Sequence, residues 1–457
     1  MLPLFTIRPR LPALSGIVLT ALVGGCQPTG TPVAPGIPEN SRFSGSGTEA
    51  VPDAWWQAFG DRRLNALEKR ALRRNFDLES AWQRLQQAQA IARREGAALI
   101  PNVDAFAAGE VDRIDFNGER LELGLAASYE VDLWGGIRSR KQAAQLRSRA
   151  RLADYRAAAI SLSAEVAATW YGLVEAQQQL QLIGDQIATN ERILDQLKVR
   201  LKQGQGGGVD VIRQEQLLRA TREQLTFAES TFGLLRHRLG VLQGGLPSTA
   251  IAVEGSDLPE LPALPRTGLP AELLKRRPDV LAALYELQAA DRDLATAFSE
   301  RLPRLVIGAS LTSADGNAGK LLDDWLGQVV GELVAPLIDG GARRAEVDRA
   351  RARMMELLAD TRQTMLVALR EVEDGLLLDR TRSARIRELR GQLDLARRSN
   401  ERLLQEYLNG AGSFIDVLSS LREQQALQRD LLEARRLLIE SRIGLYRALA
   451  GSIPNHR

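Results

Sequence analysis

Few residues in this 457-residue chain have the type and spacing to do chemistry. Histidine occurs only at His237 and His456, too far apart in sequence for a local Ser-His-Asp arrangement or a histidine-rich metal site. The run Gly204-Gln205-Gly206-Gly207-Gly208 could suggest a phosphate cradle. It follows a helical pattern instead of a strand, however, and lacks the Lys-Ser/Thr pair that grips phosphate. These features point away from an enzyme, and no metal or diffusible cofactor is expected. What remains is Cys26, the only cysteine, together with acids and glycines at two later turns.

The residues before Cys26 give its thiol a use. Arg8 and Arg10 form a charged start, and Leu11 to Val23 is a 13-residue, mostly apolar run broken by Pro12. This is the pattern of a secretory signal over residues 1–25, too short to span a bilayer. Val23-Gly24-Gly25-Cys26 resembles the bacterial lipobox, in which the thiol takes a diacylglycerol and the signal is cut before it. A thioether also removes a lone thiol from an oxidising compartment. Gln27 stands where Asp would favour retention at the inner membrane, so a covalent lipid on Cys26 and an outer-membrane location are expected. Residues 26–52, rich in Gly, Pro, Ser and Thr, form a lipidated tether.

Composition supports a folded chain, with 44% apolar and 26% charged residues. The formal charge is +3, and removal of Arg8 and Arg10 with the signal leaves about +1. Lys and Arg are scattered among nearly equal numbers of acids, so no nucleic-acid partner is expected.

The chain repeats itself. Arg73-Arg74-Asn75-Phe76-Asp77 answers Arg276-Arg277-Pro278-Asp279, Gly135-Gly136-Ile137-Arg138 answers Gly340-Gly341-Ala342-Arg343, and Gly204, Gly206 and Asp210 answer Gly410, Gly412 and Asp416. The offset drifts from 202 to 205 to 206, as a duplication with small loop insertions produces. Residues 53–250 and 276–452 are therefore two structural repeats, each a helix, two strands and a helical hairpin. A proline-rich connection over 251–275 joins them, and 453–457 is a tail.

Within each repeat the hydrophobic period changes. Leu121, Leu123, Leu125, Ala127, Tyr129, Val131 and Leu133 alternate with Glu122, Gly124, Ala126, Ser128, Glu130 and Asp132. Leu305, Ile307, Ala309 and Leu311 repeat the pattern, and Asn102 to Arg113 and Gln328 to Ile338 supply two more strands. Each has about the 9 to 11 residues a transmembrane strand needs. Asn117-Gly118 and Asp315 to Gly319 sit between strand pairs as turns. Four strands cannot close a barrel, and an open edge in lipid is costly. Closure must come from several chains: two copies give the smallest usual barrel, about 8 strands filled by side chains, and three give about 12 with room for a lumen.

From Gly136 to about Gln203 there is no proline and many good helix formers, enough for a helix of roughly 100 Å. Leu162, Val166, Thr169, Leu173, Ala176, Leu180, Ile183, Ile187, Asn190, Leu194, Leu197 and Leu201 make a heptad seam, polar only at Thr169 and Asn190. Ile386, Leu389, Leu393, Ala396, Asn400, Leu403 and Tyr407 continue it in the second repeat. Asn75 to Leu99 with Asp210 to Gln243, and Asp279 to Arg301 with Phe414 to Ala450, form shorter helices that stack in pairs alongside the long ones.

Together with Trp55-Trp56-Gln57-Ala58-Phe59-Gly60-Asp61, Leu64, Leu67, Ala71-Leu72 and Asn75, these features make the chain similar to the TolC-type outer-membrane efflux proteins. The resemblance is to their lipoprotein, NodT-like branch in resistance-nodulation-division systems, and it covers Cys26 to about Ser452. It implies a mostly α fold with a transmembrane β-barrel contribution: a homotrimer with about 12 barrel strands and as many tunnel helices. It also implies a passive export duct for small molecules working with a periplasmic adaptor (membrane fusion) protein, an inner-membrane resistance-nodulation-division pump and outer-membrane lipids. A type I protein-secretion exit duct and a structural coiled-coil envelope lipoprotein are the alternatives.

Arg200-Leu201-Lys202-Gln203-Gly204 through Asp210 and Tyr407-Leu408-Asn409-Gly410 through Asp416 resemble the family's periplasmic tips. The resemblance assigns adaptor contact to Gly204, Gly206, Gly410, Gly412 and Ser413, and the periplasmic gate to Asp416 and Asp210. A tight turn requires positive φ at Gly204 and Gly410. Ser413-Phe414-Ile415-Asp416 also fits a capping box, so gating and capping stand as alternatives for Asp416. Two departures from the family pattern are Ser419, where some relatives carry a second Asp, and Gly207 in place of a small hydroxyl residue, from which a looser first turn is expected.

Overall fold

The computed structural model describes residues 41–449 except 49, 112–118, 250, 254 and 256. The signal, Cys26, most of the tether, the Asn117-Gly118 turn, His456 and the 453–457 tail lie outside the described residues. A 3₁₀ turn at Trp55–Phe59 precedes helices α1 (Arg62–Arg74) and α2 (Phe76–Ala97), strands β1 (Asn102–Val111) and β2 (Glu119–Val131), and helices α3 (Gly136–Lys202) and α4 (Gly208–Leu242). The second half has α5 (Pro270–Arg276), α6 (Pro278–Ser299), β3 (Arg304–Asp315), β4 (Leu326–Val334), α7 (Ala342–Leu408) and α8 (Phe414–Leu449). The two halves match closely in helix length: α2 and α6 have 22 residues each, α3 and α7 have 67 each, and α4 and α8 have 35 and 36.

The strands form one antiparallel sheet in the order β1-β2-β3-β4, with β1 and β4 at open edges. Paired residues point to the same side, so the register defines two faces. One carries Val103, Ala105, Leu125, Ala127, Tyr129, Leu311, Ala309, Ile307, Val329 and Leu333. The other carries Asp104, Glu122, Ser128, Glu130, Ser310, Thr312, Gln328 and Glu332, with Phe106, Val306 and Val330 among them. One mostly apolar face and one that gathers the acids is the pattern of a barrel wall in lipid. The last strand corrects the sequence reading, which ran from Gln328 to Ile338. It starts at Leu326 and stops at Val334 because Pro336 has no N–H to donate and forces Ala335 out of the ladder. Leu337 and Ile338 follow as exposed residues outside the sheet.

Two acids start the long helices. Asp132 accepts hydrogen bonds from the backbone N–H of Ile137 (3.0 Å) and Arg138 (3.1 Å) and from the Arg138 guanidinium (2.9 Å). Asp339 does the same for Gly341 (2.9 Å), Arg343 (3.1 Å) and the Arg343 side chain (3.2 Å). Gly135, Gly340 and Gly341 have φ of 76°, 64° and 91°, the left-handed backbone that lets the chain turn from strand into helix. Burial raises the Asp132 pKa, but the bonds from Arg138 and Ile137 outweigh it and hold the carboxyl below its usual range.

Helix α3 has α2 and α6 beside it near the strands and α4 and α8 beside it farther away; α7 pairs with α6 and then α8. The short helices stack as expected. Asn75 caps α2 through Leu78 N–H (3.0 Å) while its amide donates to the Leu242 carbonyl at the end of α4 (3.1 Å). Arg277 takes this place in the second half, donating to the carbonyls of Ala448 and Ala368 (3.4 Å each) and pairing with Asp279 and Glu371. The layer is therefore open along α2 and α4 on one side and α7 on the other. Phe76, Phe227 and Leu234 lie exposed on the first edge, and Leu366, Leu377 and Leu395 on α7.

A belt crosses the layer where the short helices meet. Trp55 is fully buried, stacks on Tyr446 (5.7 Å between centroids), and donates to Ser163 Oγ at 3.1 Å. Asp61 caps α1 through Arg63 and Leu64 N–H and accepts from the Trp170 indole at 2.7 Å. Val253 and Leu258 of the proline-rich connection join this core, and Thr267 of the same connection bonds Gly45 and Ser46. Glu68 is anomalous in this belt. Its side chain is fully buried, neither oxygen has a hydrogen-bond partner among the described residues, and burial raises its pKa well above the carboxylate range.

Below the belt most of the predicted seam is buried, with Leu180 and Ile187 partly covered. Its polar member Asn190 anchors a layer joining three helices: it donates to Thr221 (2.9 Å), accepts from Gln425 (3.0 Å), and its carbonyl accepts from Gln214 (3.0 Å). Leu201 departs from the seam, 41% exposed in the last turn where the first hairpin supplies no cover.

Candidate functional site at the helical tips

The two hairpin turns have the same backbone. Gly204 and Gly410 have φ of 72° and 76°, and nothing lies near the place a Cβ would occupy. In the first turn Gly204 N–H donates to Leu201 (3.0 Å) and Gln205 N–H to Arg200 (2.9 Å); in the second Gly410 donates to Tyr407 (3.0 Å) and Ala411 to Glu406 (2.9 Å). These are paired C-terminal helix caps that satisfy the last carbonyls. Gly206 and Gly412 lie outside the left-handed region, and only Gly412 is short of space: a Cβ there would come within 3.1 Å of the Tyr407 nitrogen, whereas one at Gly206 would make ordinary contacts at 3.5 Å. The expectation of a looser first turn is corrected, because Asp210 N–H to Gly207 O (3.1 Å) matches Asp416 N–H to Ser413 O (3.2 Å). Gly207 reaches the extended geometry that precedes a helix without a side-chain cap.

The capping box at the second turn is also corrected. Ser413 Oγ accepts from Ile415 N–H at 3.4 Å, not from Asp416 N–H. The Asp416 carboxylate is exposed and makes no hydrogen bond or ion pair with any described residue. It borders a groove between α7 and α8 with Ser399, Leu403, Ser419 and Glu423. Glu423, two turns along the same helix face, is an acid in this groove that the sequence reading left out.

Asp210 has a different environment. The Tyr407 hydroxyl donates to Asp210 Oδ2 at 3.5 Å, joining the end of α7 to the start of α4. Arg200, at the end of α3, lies over the Tyr407 ring with its guanidinium carbon 5.2 Å from the centroid, and donates to the Leu408 carbonyl at 3.3 Å. Burial and the Asp210 charge raise the Tyr407 pKa, with Arg200 opposing them. Beneath these polar contacts Leu197, Leu217, Tyr407, Phe414, Val417, Leu418 and Leu421 form an apolar cluster drawn from four helices. The roles of Arg200 and Tyr407 in tying the tips were missed. The available signal was that Tyr407 answers Leu201 across the repeat, placing a hydroxyl at the end of a leucine-rich seam.

No group of three or more His, Cys, Asp or Glu side chains among the described residues could hold a metal ion. The geometry offers a wall: an open helical layer, an amphipathic sheet with acids on one face, and tips linked by few bonds. The outer membrane efflux protein family model matches residues 67–232 and 269–451. The chain belongs to that family. It is 30% identical to the pyoverdine export outer membrane protein OpmQ of Pseudomonas aeruginosa, over 97% of this chain and 98% of that one. It is 27% identical to the toluene efflux pump outer membrane protein TtgF of Pseudomonas putida, over 96% of each. Among solved structures it is similar to the outer-membrane channel OprN, with a TM-score of 0.84 and 26% identity, covering 92% of this chain and 99% of that one. This member of the efflux protein family is an outer-membrane channel component of a tripartite pump, with a helical tunnel on the periplasmic side. Channels of the family form trimers and work with a periplasmic adaptor and an inner-membrane pump.

Proposed function

We propose that the chain is a passive export duct for small molecules, built from three copies and gated at its periplasmic tips. The observation that carries this reading is that one layer leaves edges open on both sides, β1 and α2/α4 on one and β4 and α7 on the other, which neighbouring copies can join. Four strands in each of three copies close into about 12, wide enough for a lumen. The relatives named for pyoverdine and toluene favour small molecules over secreted protein as cargo. Residues 1–25 serve as a cleaved signal, Cys26 carries lipid, residues 26–52 tether it, and 251–275 join the repeats 53–250 and 276–452.

In the closed tip, Tyr407 holds Asp210, and three copies of Asp416 face one another across the opening. Their repulsion favours dilation once a partner relaxes the tips, and their charge draws cations toward the entrance. Gly204, Gly206, Gly410, Gly412 and Ser413 present a surface of minimal side chains on which an adaptor's helical hairpins can seat closely. Energy comes from the inner-membrane pump.

Two measurements test this. The purified protein should run as a heat-modifiable trimer, and a monomer in mild detergent contradicts the duct. In planar bilayers Asp416→Ala should change conductance and weaken cation selectivity; unchanged values remove Asp416 from the gate. Metabolic labelling with palmitate, lost in Cys26→Ser, tests the anchor.

A further inference from the structure

Helix α1 is set apart by its charge. Its 13 residues include six cations, Arg62, Arg63, Lys69, Arg70, Arg73 and Arg74, and one acid, Glu68. The acid is buried with Leu64, Ala71 and Leu72, while all six cations are exposed. Arg62, Lys69, Arg70, Arg73 and Arg74 form no ion pair with any described residue. On α7, which is also rich in arginine, Arg349, Arg353, Arg398 and Arg402 each face an acid three or four residues away.

The arrangement works against the helix. Lys69 with Arg73, and Arg70 with Arg74, are like charges at i,i+4, and Arg62 and Arg63 sit at the positive end of the helix dipole. Only Arg73 and Arg74, in the last turn, are favoured by that dipole. Lys69, Arg70, Arg73 and Arg74 line one open, shallow hollow with Ala66, so four cations border a single stretch of surface. A surface that keeps such repulsion without internal acids is matched to an external anion.

Position selects the anion. Helix α2 leads from α1 to the first barrel strand in 22 residues, which places the basic face roughly 33 Å below the membrane strands. A duct reaching inward from the outer membrane crosses the peptidoglycan, a net of glycan strands joined by peptides with free carboxylates. We propose that the exposed face of α1 docks the duct to peptidoglycan through those peptide carboxylates, fixing the belt in the net. This rests on the outer-membrane placement of the strands.

The test is co-sedimentation of purified trimer with protein-free sacculi. The wild type should pellet at low salt and be released at high salt, since exposed charge pairs are screened. Lys69→Gln/Arg70→Gln/Arg73→Gln/Arg74→Gln should bind about tenfold more weakly, as four contacts that are each weak combine. Sacculi with amidated carboxylates should show the same loss with the wild type, an arm that needs no variant to fold. The proposal is overturned if the wild type stays in solution, if amidation changes nothing, or if the variant pellets like the wild type. It is also overturned if the variant loses its heat-modifiable trimer, because the face is then a contact between subunits. Bilayer conductance of the same wild-type preparation reports on the duct independently, so failure to bind sacculi with normal conductance leaves the channel intact.

Discussion

The two ends of each long helix are held in opposite ways. At the strand end, Asp132 and Asp339 each gather two backbone N–H groups and one arginine within a few residues of sequence, at 2.9 to 3.2 Å. At the tip end the polar ties run between hairpins and lie near the limit of hydrogen bonding: 3.5 Å from Tyr407 to Asp210 and 3.3 Å from Arg200 to Leu408. The first kind is local and charge-assisted, so it re-forms wherever the segment folds. The second depends on two hairpins staying in register, and few bonds oppose their separation. Under the proposed gating, that contrast makes the membrane end of the duct the fixed one and the periplasmic entrance the adjustable one.

Breaking the strong end should have the largest effect on stability. Asp132→Ala removes a helix-start acceptor and is expected to cost about 1 to 2 kcal/mol, read as a lower melting temperature of the trimer. The Asp132 pKa is depressed in the folded protein, so its contribution is present above the unfolded value of about 3.9 and lost as pH falls through the folded value. The variant should therefore lose less stability than the wild type on acidification.

The belt between the two ends sharpens the comparison, because its weak point is a buried acid and not a missing bond. Glu68 has a raised folded pKa, so its protonated form stabilises the fold below the unfolded value of about 4.3, and this is lost as pH rises toward the folded value. Glu68→Gln keeps the shape and removes the charge. It should add about 1 kcal/mol at pH 8 and flatten the pH dependence of melting. Equal gains at pH 5 and pH 8 would show that ionisation is not the cause. The tip should be least sensitive: Tyr407→Phe keeps the apolar cluster and should change stability by less than about 0.5 kcal/mol. A melting shift as large as that of Asp132→Ala would place the tip among the fixed parts of the fold.

Much of this architecture was legible in the sequence because periodicity reports burial directly. The strict alternation from Leu121 marked a strand with one apolar face, and the proline-free run from Gly136 marked a helix that ends at Lys202. What stayed hidden depends on partners distant in sequence. Asp210 and Tyr407 are 197 positions apart, and neither residue type announces the other. Arg277 was visible as the counterpart of Asn75, but its reach to Ala448 and Glu371 required the fold. Asp132 was placed in the strand alternation, yet its acceptor role depends on the turn at Gly135. Glu68 could have been found, since Leu64, Leu67, Glu68, Ala71 and Leu72 share one helical face and one of them is charged. At the second turn the motif misled: Ser413 and Asp416 have capping-box spacing, but the turn geometry offers Ser413 the Ile415 N–H instead.

Single-channel conductance most directly tests the claim that flow is controlled where the tips meet. Asp210→Asn combined with Tyr407→Phe should raise the conductance of the trimer well above wild type, while Asp132→Ala, once assembled, should leave it unchanged. Wild-type conductance in the tip variant, or an equal rise in both, would contradict the account.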